Sequence, residues 1–400
     1  MSALRPGDAL KAGASGGSES GLLRSVLVVA QFSISIGLAV AAVVVLRQID
    51  FARHVDLGIR RSGVVVVQGI AKLTPGQRES LADALQGNPH IESVAYSRGY
   101  PFGLRGFFTR IDVPDKTPVQ AEMLNMSPSF PQLYGMRLLA GRQLSLDHPQ
   151  DTSTFHDFRN VLINATLARR LGLSPAQAVG ANLRGLGSQA MVVGVLSDAN
   201  LKGVRDPLEP MIFWFDPTEV GVMTDLSVRV RPDQVAETLS FIDRTWRQID
   251  PSAVIQRQFL TQTFDAFFRS VDREGTLLGL CVSIAVFIAC LGLFGLALFT
   301  AERHTKEVGV RKVAGARTSE ILRLMLWRIS KPVLIANLIA WPVAYYCLHR
   351  WLEGYAYRVS LNPLYFLATG AAALLIAWAT VYAITLRLAR TNPVHALRYE

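Results

Sequence analysis

Four apolar runs, unevenly spaced along the 400 residues, constrain this chain more than any other feature. A helix rises about 1.5 Å per residue, so about 20 apolar residues cross a hydrocarbon core of roughly 30 Å. Val26–Leu46, Thr276–Phe299, Pro332–Leu352 and Leu364–Leu388 meet that length. Inside hydrocarbon the backbone must bond to itself, which makes each run a helix. Residues 47–275 separate the first run from the second, whereas short stretches separate the rest. The first run continues into Gln48–Arg53 with helical character and has no small-residue cleavage site, so it reads as an uncleaved span. Asn337, Pro342 and His349 interrupt the third, predicting a kink at Pro342 and a polar face turned inward.

Charge sets the orientation. Residues 301–331 carry eight Lys or Arg against three Glu, and positive charge beside a span stays on the cytoplasmic side. Arg5, Lys11 and Arg24 precede the first span, and Arg387, Arg390 and Arg398 lie at or beyond the end of the fourth, whereas residues 353–363 hold only Glu353 and Arg358. Both termini are therefore expected in the cytoplasm. The resulting organisation is a linker at 1–25, an extracytoplasmic domain with membrane-proximal stalks at 47–275, a cytoplasmic loop at 300–331, a short external loop at 353–363 and a tail at 389–400. The net charge of +10 raises the possibility of a nucleic-acid partner, but the basic excess sits beside apolar runs, and anionic membrane lipid accounts for it without nucleic acid.

The long interval reads as mixed α and β, giving a fold class of four transmembrane α-helices with a large α+β extracytoplasmic domain between helices 1 and 2. Val64–Val67, Met191–Leu196, Met211–Phe215 and Leu226–Val230 are β-branched or aromatic runs bounded by turn residues. Gln77–Leu85, Asn164–Leu171 and Asp233–Gln248 show helical periodicity, with Val235, Leu239, Ile242 and Trp246 on one face of the last. Asn125–Pro131 and Arg231–Pro232 are expected crossings between small modules. Two stalks are expected: Leu46–Leu57, stopped by Gly58, and a stripe of Phe264, Phe267, Phe268 and Val271.

Signatures of chemistry are sparse. The sequence contains no Gly-Lys dipeptide, which excludes a nucleotide-cradling P-loop. His148, His156 and Asp157 match no metal-ligand spacing, and no catalytic residues or cofactor are assigned. Cys281, Cys290 and Cys347 all fall in the spans, where they read as small apolar packing residues, so no disulfide framework supports the exported domain.

The loop after the second span is the most specific segment. Glu302-Arg303, Lys306-Glu307-Val308-Gly309-Val310-Arg311-Lys312 and Gly315-Ala316 combine with Asn392-Pro393-Val394-His395-Ala396-Leu397-Arg398 near the end of the chain. With Val29–Ser35, Asp56-Leu57-Gly58, Val192-Val193-Gly194-Val195, Asp198 and Pro207-Leu208-Glu209-Pro210, their order resembles FtsX-like, MacB-type permeases of the ATP-binding-cassette (ABC) superfamily over nearly the whole length. The resemblance implies a multi-pass protein of the bacterial cytoplasmic (inner) membrane. ATP would be bound by a separate cytoplasmic ABC ATPase gripping the coupling loop. Glu302, Arg303, Lys306, Glu307, Gly309, Arg311, Lys312 and Gly315 are the coupling residues so implied, with basic side chains for an acidic cleft and glycines for close backbone approach. It also implies a second permease copy or another permease half, admits a periplasmic adaptor, and points to export or efflux by mechanotransmission.

Ala3–Lys11 echoes Ala389–Arg398, and Gly13–Gly21 has the composition of a flexible linker, so the chain resembles the second half of a duplicated family member. One further reading of the residues stands beside this one, a membrane-anchored sensor or signalling protein, and the resemblance to FtsX-like proteins also admits a regulator of cell-wall hydrolases.

Overall fold

A computed structural model describes residues 6–103, 106–112, 117–154, 157–185, 190–218, 223–252, 254–303 and 318–390. The chain divides into two compact units: one of Met1–Arg53, Val271–Gly354 and Arg358–Glu400, the other of His54–Ser270 with Tyr355–Tyr357.

The first unit is helical. Helices α1 (Pro6–His54), α7 (Leu260–Arg303), α8 (Thr318–Leu352) and α9 (Pro363–Arg390) contain the four expected spans, as Ser25–His54, Gly275–Gly295, Ser330–Leu352 and Pro363–Tyr382. Val28, Phe32, Ile36, Val40 and Val44 recur every fourth residue on α1 and are buried against Ala289 and Leu293 of α7, Ala336, Ala340 and Ala344 of α8, and Ala377 and Val381 of α9. Lipid tails are as apolar as these side chains, so association depends on close packing and interhelical bonds, and alanines permit that approach. Ser33 Oγ accordingly donates to the Ala336 carbonyl (3.3 Å), and Trp378 Nε1 to Ser330 Oγ (2.9 Å).

Three expectations are corrected in this unit. Helix α1 runs back through Gly13–Gly21, where composition suggested a flexible linker; once a span has nucleated a helix, extension adds one bond per residue fixed. Asn337 turns inward as expected and donates to the Val333 carbonyl at 2.9 Å, but His349 is exposed, stacked on Tyr345 and 3.7 Å from Glu353. It lies within the last turn of α8, where the polar ring can reach outward. Cys281 and Cys347 are exposed on their helices, so they do not pack within this bundle.

The second unit carries two sheets. β1 (Val64–Gln68), α2 (Pro75–Gln86), β2 (Ile91–Ser97), β10 (Asp225–Val230), α6 (Val235–Ile249) and β11 (Gln256–Phe259) build an antiparallel sheet of order β11-β1-β10-β2. Each βαβ half leaves a gap that a strand of the other half fills, the split βαβ pattern. Thr74 starts α2 through a capping box with Gln77, followed by Pro75 at the first helical position. Every residue of β10 is buried: Leu226, Val228 and Val230 share one face, Asp225, Ser227 and Arg229 the other.

Between β2 and β10 the chain inserts β3 (Phe107–Ile111), β4 (Val119–Asn125), α3 (Phe130–Tyr134), β5 (Leu138–Gly141), β6 (Asn160–Asn164), α4 (Ala165–Leu171), α5 (Pro175–Ala178), β7 (Asn182–Leu183), β8 (Ala190–Leu196) and β9 (Met211–Trp214). Their mixed sheet runs β3-β4-β9-β6-β8-β5, with β7 also on β8. Ala121, Met123, Val161, Ile163, Val192, Ile212 and Trp214 form its core together with Leu167 and Ala168 of α4 and Ala178 of α5.

The four expected strands and three expected helices all form. Asn125–Pro131 is a true crossing: Ser127 N–H bonds to the Tyr96 carbonyl and α3 lies on β2 and β10 of the first sheet. Arg231–Pro232 is not one. It joins β10 to α6 within the same sheet, while the chain crosses between β2 and β3 and between β9 and β10.

Arg229 is 5% exposed, and its guanidinium donates to the carbonyls of Leu133 (2.8 Å), Ser62 (2.9 Å) and Arg60 (3.0 Å). Arg229→Ala should remove these charge-assisted bonds, lowering stability by about 3 kcal/mol. Thermal unfolding of the solubilised chain checks this, and an unchanged midpoint would contradict it.

Candidate functional site

The outer unit is continuous with the spans at the end of α1 and along the first turns of α7. Helix α1 ends at His54, and Asp56 Oδ1 accepts the Gly58 N–H at 2.8 Å to turn the chain. Gly58 has φ +76°, and a Cβ there would lie 2.3 Å from the Asp198 carbonyl oxygen. Only glycine combines that backbone with that approach. The adjacent Leu57 carbonyl accepts the Asn200 N–H at 2.8 Å, and Arg60 N–H bonds to the Tyr134 carbonyl at 2.7 Å. Leu57–Ser62 is thus held by the turn after β8, by α3 and by Arg229 of β10.

Asp198 and Asn164 organise the same region. Asp198 accepts from Thr166 N–H (2.8 Å) in the first turn of α4 and pairs with Arg169 (2.7 Å). A carboxylate there is favoured by the positive end of the helix. Asn164 caps α4 through Leu167 N–H (2.9 Å), accepts from Met211 N–H (3.0 Å) and donates to the Glu209 carbonyl (2.8 Å). Asn200, 3% exposed, holds the next turn by accepting from Lys202 and Gly203 N–H (3.0 and 2.9 Å) and donating to the Asp206 carbonyl (2.9 Å).

The second stalk reaches this region through an aromatic ring. Phe264, 6% exposed on α7, lies 5.0 Å from the Phe102 ring, and the Arg61 guanidinium sits 4.0 Å above it. Phe102 has φ +69°, costly for a bulky residue, and its N–H bonds to the Leu201 carbonyl at 2.6 Å. Burial pulls the Arg61 pKa below its ordinary value, opposed by Asp56 and Asp265. A cation on a partly desolvated ring gains more than it would in water. Strand β11 leads into α7 and is fixed to α6 by Arg257 on Asp243 (2.6 and 2.9 Å).

Of the residues expected to couple to an ATPase, Glu302 and Arg303 lie on the backbone of the last turn of α7, while Lys306, Glu307, Gly309, Arg311, Lys312 and Gly315 fall outside the described residues. The side chains of Phe267, Phe268 and Val271 are likewise outside them. Sequence reasoning marked Asp56-Leu57-Gly58, Asp198 and Phe264 separately. It missed Arg61, Phe102, Asn164, Asn200 and Arg229, whose signal is only an isolated polar or aromatic residue in a turn or a buried strand. Among the described residues no group of three or more His, Cys, Asp or Glu is placed to hold a metal.

Residues 26–241 match the MacB-like periplasmic core domain, and residues 279–393 match the FtsX-like permease C-terminal domain. The chain belongs to the MacB/FtsX permease family, and is an integral membrane protein with four transmembrane helices and an extracytoplasmic α+β domain between the first two. Among curated relatives, a macrolide export ATP-binding/permease protein MacB from Burkholderia cenocepacia is 22% identical over 268 residues, 64% of this chain and 36% of that protein. Its counterpart from Chromobacterium violaceum is 22% identical over 347 residues, 83% of this chain and 50% of that protein. The chain therefore spans half or less of the length of these relatives. The crystal structure of the periplasmic region of MacB from Actinobacillus actinomycetemcomitans covers 53% of this chain and 95% of its own, at 14% identity and a TM-score of 0.38.

Two outcomes follow from the geometry. Gly58→Ala should unseat the first stalk, costing on the order of 2 kcal/mol and speeding hydrogen exchange at the Asn200 amide; unchanged exchange would contradict the seating. Hydrogen bonding from Arg257 holds the Asp243 carboxyl below the usual carboxylate range, against an opposing effect of burial. Its contribution is therefore present above the unfolded value of about 4 and lost as pH falls through the lowered folded value. Acid unfolding below about pH 4 should be steeper in the parent chain than in Asp243→Asn.

Proposed function

We propose that this chain is the permease subunit of an ABC transporter of the MacB/FtsX type. It couples ATP hydrolysis by a separate cytoplasmic ATPase to movement of its extracytoplasmic domain, for export or efflux. The observation that carries this reading is the order of the two family matches, with the charged segment Glu302–Ala316 lying inside the permease match and between the second and third spans. In this reading the protein lies in the bacterial cytoplasmic membrane with both termini cytoplasmic, paired with a second permease copy or another permease half. ATP is bound by the ATPase, not by this chain.

Arg303, Lys306, Arg311 and Lys312 give the segment a cationic composition suited to an acidic cleft, and desolvated charge pairs of that kind contribute strongly to specificity. Motion imposed there passes along α7 toward Phe264 and along α1 toward Leu57–Ser62. The contacts of Arg61, Phe264 and Asn200 support a rigid hand-over at both ends.

Charge reversal of both Arg311 and Lys312 to Glu is expected to abolish co-purification of the ATPase from detergent-solubilised native membranes while leaving membrane insertion intact. ATPase recovery equal to that of the parent chain would remove the loop as the docking element.

A further inference from the structure

We propose that the loop between the third and fourth spans is a third tether of the outer domain, seated on the same turn that holds the first stalk. Gly354 and Arg358 belong to the helical unit, but Tyr355–Tyr357 belongs to the outer one. Ala356 N–H donates to the Arg205 carbonyl at 3.2 Å and Tyr357 N–H to the Val204 carbonyl at 3.1 Å, two successive amides of the loop bound to two successive carbonyls of the turn. The Arg205 guanidinium lies 5.2 Å from the Tyr355 ring centroid and donates to its hydroxyl at 3.3 Å, and Tyr355 is 8% exposed.

Val204 and Arg205 sit in the turn that Asn200 closes through Lys202, Gly203 and Asp206. That turn also receives Leu57 at Asn200 and Phe102 at Leu201. One rigid segment thus joins chain from the first span, from the third and fourth, and, through Phe102 on Phe264, from the second. Two residues past the pairing, Val359 N–H donates at 2.9 Å to Gln48 Oε1 on α1, a side chain only 1% exposed. The loop is therefore pinned on both sides of Arg358, although its sequence suggested only a short connection. A displacement of the α8–α9 hairpin would be delivered to the Asn200 turn directly as well as through the stalks. The clasp stands on its own contacts, while its part in transmission rests on the ATPase-coupled reading.

The test uses the full chain in native membranes, with Cys281, Cys290 and Cys347 changed to Ala. A single N–H···O=C bond holds the Cα atoms of its two residues roughly 5–6.5 Å apart, given standard backbone bond lengths, which is within disulfide range. Arg205→Cys with Ala356→Cys should therefore cross-link on mild oxidation, whereas Arg205→Cys with Leu361→Cys should not. Absence of the first cross-link, or equal yields for both, would overturn the clasp.

Transmission is read by hydrogen exchange over residues 198–206, with and without ATP plus vanadate. The parent chain should show a nucleotide-dependent change in exchange. Ala356→Pro, which removes one donor, and Tyr355→Ala, which removes the ring contact, should each reduce it at least twofold. A full response in both variants would overturn the tether's role in transmission. A cross-link in the Arg205→Cys, Ala356→Cys chain, together with no nucleotide response in the parent chain, would overturn the ATPase-coupled reading and leave the clasp supported.

Discussion

The outer domain is organised around one buried cation. Arg229 lies on a central strand of the first sheet, where a guanidinium is tolerated only because carbonyl dipoles from distant parts of the chain converge on it. Burial depresses its pKa and Arg60 adds to the depression, yet a guanidinium keeps its charge across any physiological pH. The carbonyls of Arg60 and Ser62 lie on the segment leaving the membrane, and that of Leu133 lies on α3, which follows the crossing from the second sheet and packs on β2 and β10 of the first. Sheet, exit segment and crossing helix are consequently fixed by one side chain.

The two units are stabilised in different solvents. In the spans, burial against lipid-like neighbours gives little gain, and alanine stripes with a few side-chain bonds hold the helices. Outside, in the absence of disulfides, stability comes from apolar cores on both sheets and from satisfied polar turns. The outer unit is a body braced by polar side chains as well as by its core. Asn164, Asn200 and Asp198 each make several bonds within that body, so none of the turns that receive the tethers depends on a single contact.

Several short sequence signatures now have a geometric meaning. Gly58 is required where the exit segment touches the Asp198 carbonyl. Asp198 serves the start of α4, and Glu209 and Met211, flanking Pro210, are the backbone partners of Asn164, which caps the same helix.

Hydropathy, strand runs and helical periodicity determined the spans, the principal strands and the helices, because each is a local property: the length of an apolar run, the period of burial, the residue that starts or stops an element. The tertiary structure alone decided how β1, β10 and β11 interleave, that Asn125–Pro131 crosses between the sheets while Arg231–Pro232 does not, and that Gly13–Gly21 continues a helix. It also decided that Leu57, Phe102, Phe264 and Tyr355 converge around one turn. These residues are separated by up to three hundred positions and share no pattern along the chain. Their proximity arises from hydrogen bonds between non-adjacent strands and turns, which no local periodicity encodes.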